Sequence, residues 1–243
     1  MLRHRGGWHR RVWLRLASLL QPTRLMRLVV TPKTVVFDLG AVLLHWQPVD
    51  LVARLLPQHA PTRDAAEQLV GRIFEGLHPG STWADFDRGR VEPGPLAMRL
   101  AAITGVRADH LLDFIHAIPD ELTTQQDTAA LLPRLLAQGH RLVYLSNMPL
   151  PYSERLLQER DFFQFFEAGV FSGVVGLVKP EQAIFAHAES ELKLTPHRTV
   201  FVDDNVHNVV AARERGWQCI LFVNAAQCER DLREAGCLAP SIV

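Results

Sequence analysis

The sequence predicts an α/β protein in which a parallel sheet carries helices on both faces and an α-helical cap is inserted after the first strand. Short β-branched apolar segments alternate with helical segments from Thr34 onwards, which implies parallel strands joined by helical crossovers. No convincing strand interrupts residues 49–118. Acidic and polar residues stand where the apolar strands end, as in Rossmann-like sheets that bind ligands at the carboxyl ends of their strands.

The first strand and the insert after it are the clearest elements. Residues 33–39, KTVVFDL, are short, apolar and β-branched, which is typical of a buried parallel strand. Turns rich in glycine and proline divide the insert at residues 76–80 and 89–95. Around these turns the sequence predicts four helical segments, at residues 49–56, 65–75, 96–103 and 108–118.

The chain after the insert continues the alternation. Pro133 is expected to kink the helix predicted at residues 127–138 or to mark a late start, because proline lacks the backbone N–H and clashes with the preceding turn. Pro180 is expected in the first turn of another helix, where proline is tolerated. The remaining predicted strands are residues 141–147, 168–173, 199–205 and 219–223, and the remaining helices are residues 152–159, 180–194, 206–216 and 226–236.

These elements divide the chain into three parts. Residues 34–48 and 119–243 are predicted to form a Rossmann-like catalytic core, and residues 49–118 a helical cap. Residues 1–33 contain seven Arg and one Lys but no acid, so we expect a basic, poorly ordered extension. An export signal of the twin-arginine type, a transit peptide, a helix on an anionic surface and a start at Met26 are the alternative interpretations.

Charge and hydrophobicity exclude several classes of function. Outside the basic extension, 18 basic residues face 26 acidic ones, so nucleic acid is not an expected partner. No run approaches the roughly 18 consecutive apolar residues that a membrane span requires. Three cysteines without a CxxC pair predict free thiols in a reducing cytoplasm. The sequence does not indicate an oligomeric state.

Three carboxylates are predicted to converge at one edge of the sheet. Asp38 ends the first strand, and Asp203 and Asp204 end the strand TVFV. Acids that close together would repel one another unless a cation lies among them. Hard carboxylate oxygens suit Mg²⁺. We therefore predict a magnesium site beside Asp38, which could serve as a nucleophile toward phosphorus.

Three further polar residues are predicted at the same edge. Ser146 and Asn147 end the strand RLVYL, and Lys179 precedes a predicted helix. The chain contains 23 Arg and only three Lys, so a lysine at this position suggests a specific need for a compact ammonium group. A metal ion beside an ammonium group is typical of a site that neutralises a transferring phosphoryl group.

The motifs FDLGAV, LSN, VKP and FVDDNVHNV resemble, in this order, the four motifs of the haloacid dehalogenase-like hydrolases. The resemblance covers residues 34–225, and the insert is similar to the cap of the subgroup with an α-helical lid. FDLGAV and FVDDN are most similar to sugar-phosphate phosphatases that act on anomeric phosphates such as glucose 1-phosphate. More loosely, they resemble the phosphatase domain of some epoxide hydrolases.

The resemblance implies a role for each matching position. Asp38 would attack phosphorus, and Lys179 would bridge Asp38 and the phosphate. Ser146 and Asn147 would hold phosphate oxygens of a small-molecule phosphate ester, and Asn208 would support the acidic loop. The ligands of Mg²⁺ would be Asp38, the backbone carbonyl of Gly40 and Asp204, with Asp203 close behind.

The chain departs from the family pattern at Gly40. Most phosphatases of the family carry a second Asp two residues after the nucleophile, and that residue acts as general acid and base. Gly40 keeps the backbone carbonyl but offers no proton, and general acid–base help is typically worth about 10²–10⁴ in rate. An anomeric sugar oxygen is a good leaving group and suffers least from this loss. His45 is an alternative donor, although a lone histidine near a strand end is usually structural.

The segment STWADFDRGRVEP, residues 81–93, is the most distinctive part of the insert. We expect Trp83 and Phe86 to pack inside the cap, because aromatic residues at helical spacing are usually core residues. The alternative is that the segment faces a bound sugar. The neighbouring charged residues are expected in local turns and surface pairs: Asp85, Asp87 and Arg88.

The predicted function is Mg²⁺-dependent hydrolysis of a small phosphomonoester, with a sugar phosphate favoured, through an aspartyl-phosphate on Asp38. Two alternatives stay open at this point. A 2-haloacid dehalogenase would use Asp38 on carbon without a metal ion, although the paired acids at 203–204 and the lack of an aromatic residue two places after Asp38 argue against it. A catalytically inactive phosphate-binding module would explain Gly40.

Overall fold

A computed structural model of the protein describes residues 31–75 and 78–239. The predicted basic extension, residues 1–33, lies almost entirely outside the described residues, as does part of the turn predicted at residues 76–80. The described residues form a parallel sheet with helices on both faces and a helical insert above one edge.

Five parallel strands form the sheet, in the spatial order β3–β2–β1–β4–β5. The central strand is β1, whose last residue Phe37 lies beside Tyr144 of β2 and Val202 of β4. This register brings the residues that follow β1, β2 and β4 to one edge, which confirms the predicted α/β fold. The strands are β1 (Thr34–Phe37), β2 (Arg141–Ser146), β3 (Ala168–Phe171), β4 (Thr199–Asp203) and β5 (Gln218–Leu221).

Strand residues alternate between two apolar layers. Phe37 packs into a cluster that continues into the helical insert, whereas Val36 packs with Phe185 and Phe201 on the opposite face. Because both faces are covered, the interior residues of β1, β2 and β4 are apolar and buried. The helices that cover them are α6 (Gln126–Ala129), α7 (Leu131–Ala137), α8 (Leu150–Glu159), α9 (Ser172–Val175), α10 (Gln182–Glu191), α11 (Val206–Glu214) and α12 (Ala225–Glu234).

Among the described residues, seven α-helices lie between β1 and β2, and the first five of them form the helical insert. One of them, α3, was not predicted, because its six residues are too few to show a helical period. It begins after Ser81, whose Oγ accepts a hydrogen bond from the backbone N–H of Ala84 at 3.0 Å. The helices of the insert are α1 (Pro48–Leu55), α2 (Arg63–Phe74), α3 (Thr82–Asp87), α4 (Pro93–Thr104) and α5 (Ala108–Glu121).

Aromatic side chains fill the insert and join it to α8. Trp83 and Phe86 are 5% and 1% exposed, which confirms the prediction that they pack inside the insert. The ring of Trp83 lies 4.4 Å from that of Phe74, and the ring of Phe86 lies 5.4 Å from that of Tyr152 in α8. Edge-on aromatic pairs add about 0.5–1.5 kcal/mol beyond the burial of their area. This row of rings therefore fixes α3 against the core.

The two chain segments that join the insert to the sheet lie side by side. The backbone N–H of His45 donates to the carbonyl of Thr123 at 2.7 Å, and the N–H of Gln125 donates to the carbonyl of Leu43 at 2.8 Å. The side chain of Gln125 also donates to the carbonyl of Leu44 at 3.1 Å. The insert therefore enters and leaves the core at one place, next to the carboxyl end of β1.

Two prolines lie near helix starts: Pro133 interrupts its helix, as expected, whereas Pro180 lies outside the helix predicted to contain it. The helix predicted at residues 127–138 is divided at Ala130, because Pro133 has no N–H and its ring would clash with the carbonyl four residues earlier. The other helix begins at Gln182, so Pro180 lies in the preceding turn and not in the first helical turn. The N-cap residue Glu181 has extended backbone, with a ψ of 134°.

All three cysteines are free thiols, as predicted: Cys219, Cys228 and Cys237. Burial raises the pKa of Cys228 to about 12, so this thiol stays protonated. None of the helices formed by the described residues has the length and apolar character needed to cross a bilayer.

Gly169 in β3 and Gly71 in α2 offer a matched pair of substitutions. A Cβ on Gly169 would lie 2.2 Å from the ring of Tyr144, whereas a Cβ on Gly71 would meet no atom within 4 Å. We expect Gly169→Ala to lower the free energy of unfolding by about 1–3 kcal/mol through overpacking. Gly71→Ala should raise it by about 0.5–1 kcal/mol, because alanine is the better helix former. Urea unfolding measures both changes, and a Gly169→Ala protein as stable as the wild type would contradict this packing.

Candidate active site

Asp38 lies at the carboxyl end of β1 and stays tied to the sheet. Its backbone N–H donates to the carbonyl of Val202 in β4 at 2.9 Å. Its side-chain Oδ1 accepts a hydrogen bond from the backbone N–H of Leu39 at 2.7 Å. The side chain is buried. These bonds fix the carboxylate in one place at the sheet edge.

Lys179 connects two carboxylates that neighbouring strands bring together. Its Nζ lies 2.9 Å from Asp38 Oδ1 and 2.7 Å from Asp203 Oδ2, and the lysine is only 2% exposed. Burial alone would lower the pKa of Lys179, but the charges of Asp203 and Asp38 reverse this effect and raise the pKa above the ordinary lysine value. Lys179 is therefore a charged ammonium group in contact with Asp38.

The protonation of Asp38 reflects the same charges. Burial raises the pKa of Asp38 to about 7; Lys179 opposes this rise, and the charges of Asp203 and Asp204 add to it. A further cation beside Asp38 would favour the ionised carboxylate.

Asn147 holds the backbone of Lys179 with its side chain. Its Oδ1 accepts from the N–H of Lys179 at 2.8 Å, and its Nδ2 donates to the carbonyl of Lys179 at 3.0 Å. The Asn147 amide is therefore engaged in positioning the lysine, a function that its place in the sequence did not reveal. Ser146, which ends β2, is buried and faces the same cavity as Asp38.

Asp203 is completely buried and fully hydrogen bonded. Its Oδ1 accepts from the backbone N–H of Asn205 at 2.8 Å, and the Nδ2 of Asn208 lies 3.0 and 3.1 Å from its two oxygens. Together with Lys179, these donors offset the cost of burying a carboxylate. Asn208 therefore supports the acidic loop, the role that the family resemblance implied for it.

Asp204 differs from its neighbour because its side chain is exposed and makes no hydrogen bond to another described residue. Partial desolvation and the charge of Asp203 raise the pKa of Asp204 to about 6, against the effect of Lys179. Its carboxylate is thus held near the other acids without a partner that neutralises it.

The three acids fit a magnesium ion. One oxygen from each of Asp38, Asp203 and Asp204 lies within 4.8 Å of the others. Mg²⁺ prefers a few carboxylate oxygens and keeps several waters. Both oxygens of Asp203 already accept hydrogen bonds, so Asp38 and Asp204 are the better placed direct ligands.

The strand-end residues open into a cavity of about 140 Å³ between the sheet edge and the insert. Its floor is polar, and Asp87 is the charged residue that the described part of the insert contributes. A larger depression of about 510 Å³ near residues 159–165 contains none of the strand-end residues. The cavity roof is aromatic and apolar, formed by Trp46, Trp83, Ile118, Leu122, Met148 and Tyr152.

Asp87 and Arg88 are buried, so the expectation that they form surface pairs is wrong. They are 7% and 6% exposed. Arg88 lies 2.5 Å from a carboxylate oxygen of Glu181 and donates to the carbonyl of Pro79 at 2.6 Å. Asp85 does lie at the surface, in ion pairs with two arginines. The burial of Asp87 escaped the sequence analysis because the short α3 was not recognised.

The position of the missing second acid is open space. Gly40 lines the cavity, and a Cβ there would meet no atom within 4 Å. His45, the alternative donor, is exposed and lines a separate pocket with Gln47 and Glu121. Gly40 and His45 therefore supply no proton donor to the cavity.

Replacement of the buried lysine tests the charge network. Lys179→Met leaves two buried carboxylates without their cation, so we expect it to lower the free energy of unfolding by about 3–5 kcal/mol. The exposed Lys193 is the matched control, and Lys193→Met should change the same quantity by less than about 0.5 kcal/mol. Denaturant unfolding in the presence of EDTA measures both. Equal stabilities of the two variants would contradict the network.

Comparisons with known proteins identify the family of the chain. The family model described as haloacid dehalogenase-like hydrolase matches residues 32–216. The chain is 25% identical over 208 residues to a sesquiterpene phosphatase of Aspergillus oryzae, and the alignment covers 85% of this chain and 98% of that protein. It is 27% identical over 203 residues to a drimenol cyclase of Aspergillus calidoustus, and this alignment covers 82% of this chain but only 36% of the cyclase.

Solved structures share the fold. A HAD-like family hydrolase from Porphyromonas gingivalis superimposes with a TM-score of 0.62 at 24% identity and covers 83% of this chain and 98% of its own. A HAD family enzyme from Bacteroides thetaiotaomicron, in complex with magnesium and inorganic phosphate, gives a TM-score of 0.60 at 20% identity, with coverages of 78% and 93%. Since the family model spans most of the sequence and the fold agrees, the chain belongs to the haloacid dehalogenase-like hydrolases.

Proposed function

We propose that the chain is a Mg²⁺-dependent phosphatase that hydrolyses small phosphomonoesters through an aspartyl-phosphate on Asp38. The observation that carries this proposal is the Lys179 ammonium group, 2.9 Å from Asp38 and 2.7 Å from Asp203. Phosphoryl transfer depends mainly on positioning and on neutralisation of charge, which a fixed cation beside the nucleophile provides. The sesquiterpene phosphatase that aligns over nearly its whole length supports the same reaction class.

The proposed metal ligands are Asp38, Asp204 and the backbone carbonyl of Gly40, with Asp203 behind them. Carboxylate oxygens within 4.8 Å of one another support this assignment, as does the lack of another described partner for the Asp204 side chain. When bound, the ion neutralises charge on the phosphate and reduces repulsion among the acids. The related Bacteroides enzyme, which binds magnesium and inorganic phosphate, supports the same cofactor.

The phosphate would lie on the polar floor of the cavity. Lys179 and the hydroxyl of Ser146 would contact its oxygens, and the backbone N–H of Asn147 would contribute in place of the occupied side chain. Asp38 would attack the phosphorus atom and displace the alcohol. A dehalogenase would have no use for the carboxylate of Asp204, which favours the phosphatase over that alternative.

Hydrolysis of p-nitrophenyl phosphate tests this proposal. We expect Mg²⁺-dependent release of p-nitrophenol that EDTA abolishes, and loss of about 10³-fold or more in kcat/KM for Asp38→Asn. Asp204→Asn should raise the Mg²⁺ concentration needed for half-maximal activity by about 10-fold or more. The exposed Asp64 in α2 is the control, and Asp64→Asn should behave like the wild type.

Three results would reject the phosphatase. They are activity that survives both EDTA and Asp38→Asn, chloride release from 2-chloropropionate without metal, and phosphate binding without turnover. The second result would favour a dehalogenase, and the third an inactive binding module.

The polarity of the cavity roof indicates which organic group the substrate carries. The motifs favour a sugar phosphate, whose several hydroxyl groups need hydrogen-bonding partners. The roof offers few of them, because the Tyr152 hydroxyl already donates to the carbonyl of Ile115 at 2.6 Å and most other roof side chains are apolar. Unpaired hydroxyl groups would cost binding energy. We therefore propose an ester with an apolar organic group, in line with the terpenoid chemistry named for two relatives.

A comparison of two substrates tests the proposed organic group. We expect farnesyl monophosphate to exceed glucose 1-phosphate in kcat/KM by about 10-fold or more, since each buried methylene contributes about 0.8 kcal/mol. Met148→Gln, which makes the roof polar at nearly constant volume, should narrow this ratio and change p-nitrophenyl phosphate hydrolysis much less. A wild-type preference for glucose 1-phosphate would favour the sugar phosphate instead.

A further inference from the structure

The proposed reaction leaves one proton without a source. When the phosphorus–oxygen bond of an alkyl phosphate breaks, the departing oxygen needs a proton, because an aliphatic alkoxide is a poor leaving group. The position two residues after Asp38 is glycine, and His45 lies in another pocket. A donor for such esters must therefore come from elsewhere in the cavity.

Asp87 is the acidic residue that faces the cavity from the insert. It ends α3, is 7% exposed and lines the same cavity as Asp38 and Lys179. Its surroundings include the aromatic roof residues Trp83 and Tyr152. The carboxyl group thus faces the same cavity as the proposed nucleophile, but from the insert.

Asp87 lacks the cationic partner that usually accompanies a buried acid. Arg88, its neighbour in the chain, is paired with Glu181 and the carbonyl of Pro79. Among the described residues, no ion pair involves Asp87. Burial raises the pKa of Asp87 to about 7; the charges of Arg88 and Lys179 and a hydrogen bond from the Trp83 side chain oppose this rise, and the charge of Asp38 adds to it. A carboxyl group in this state can both give and take a proton near neutral pH.

The core holds the end of α3 in place. The hydroxyl of Ser172 donates to the carbonyl of Asp87 at 2.6 Å and accepts from the backbone N–H of Met148 at 2.8 Å. Close packing follows immediately, because a Cβ on Gly89 would lie 2.7 Å from the carbonyl of Gly173. Asp87 therefore belongs to the insert by sequence but is positioned by the loop that follows β2 and by α9.

We propose that Asp87 is the general acid and base of this site and replaces the acid that is missing at position 40. The assignment rests on the proposed phosphatase function. It identifies a catalytic residue in the insert where the family pattern places one in the core.

Asp87 gives a proton in the first step of the reaction and takes one back in the second. In the first step the Asp38 carboxylate forms a bond to phosphorus, the bond from phosphorus to the ester oxygen breaks, and the Asp87 carboxyl gives its proton to that oxygen. The products are the alcohol, an aspartyl-phosphate and an Asp87 carboxylate. In the second step water attacks the phosphorus and gives a proton to Asp87, and the bond from phosphorus to the Asp38 oxygen breaks. Inorganic phosphate leaves and both acids regain their starting forms.

Two classes of phosphate ester, with poor and with good leaving groups, distinguish a proton donor from a residue that acts in another way. We expect Asp87→Asn to lower kcat/KM for alkyl phosphates such as farnesyl monophosphate by about 10²–10⁴-fold. The value for p-nitrophenyl phosphate should change by less than about 5-fold, because p-nitrophenolate leaves without a proton. With that ester the variant should also show a burst of p-nitrophenol and accumulate phosphorylated enzyme, since hydrolysis of the intermediate lacks its base. Asp85→Asn, the same change at the surface of the same helix, is the matched control and should match the wild type.

Stability measurements distinguish catalysis from a structural role. The asparagine removes a buried charge, so the melting temperature of Asp87→Asn at pH 8 should equal or exceed that of the wild type. Equal losses for both ester classes, or no loss for either, would overturn the assignment while the phosphatase function stands. A wild-type protein that hydrolyses neither class would overturn the proposed function, and the assignment with it.

Discussion

The contact between one buried ammonium group and two carboxylates is the constraint on which the site depends. Charges removed from water are costly unless each has a partner. The register of β1 and β4 brings Asp38 and Asp203 together, and Lys179 arrives from the turn before α10, where Asn147 holds its backbone at both ends of the residue. Counted with Asp204, the ionised site carries three negative charges and one positive charge. A divalent cation would balance this deficit, so the same contact that stabilises the fold also defines what the edge of the sheet can bind.

The sheet and the insert supply different kinds of chemistry. Strand ends provide fixed charges on the floor, where parallel neighbours leave little freedom. The insert provides part of the apolar roof, which Leu122, Met148 and Tyr152 of the core complete, and, in our proposal, a carboxyl group whose desolvated surroundings keep it near the point of ionisation. With a proton donor in the roof, a glycine two residues after the nucleophile no longer restricts the enzyme to esters with good leaving groups. The glycine then no longer favours an anomeric phosphate as the substrate.

The sheet and the floor of the site were predictable from the sequence. Short β-branched apolar segments indicate buried parallel strands, and the polar residues that end them interrupt an otherwise apolar pattern. Asp38, Ser146, Lys179, Asp203 and Asp204 all lie where this reasoning expected them. The roof was not predictable. Helix α3 is too short to show a period, so the inward direction of Asp87 and Arg88 could not be read from their spacing. The bond from the Asn147 side chain to Lys179 joins residues 32 positions apart and depends on how two loops meet in space. Pro180 lies two residues before the first residue of its helix, Gln182, because Glu181 is the N-cap.

The side-by-side attachment of the insert, at residues 43–45 and 123–125, matters for how a catalytic cycle would be gated. A swing about this attachment would break the hydrogen bond from Ser172 to Asp87 and carry Asp87 and Trp83 away from Met148 and Tyr152, which belong to the core. Asp38, Lys179 and Asp203 would stay in place. The nucleophile would then be ready at all times, whereas the proton donor would arrive only with closure. An ester too bulky to permit closure could bind to the polar residues at the strand ends and still not react. The enzyme would then discriminate between substrates in the bond-breaking step as well as in binding.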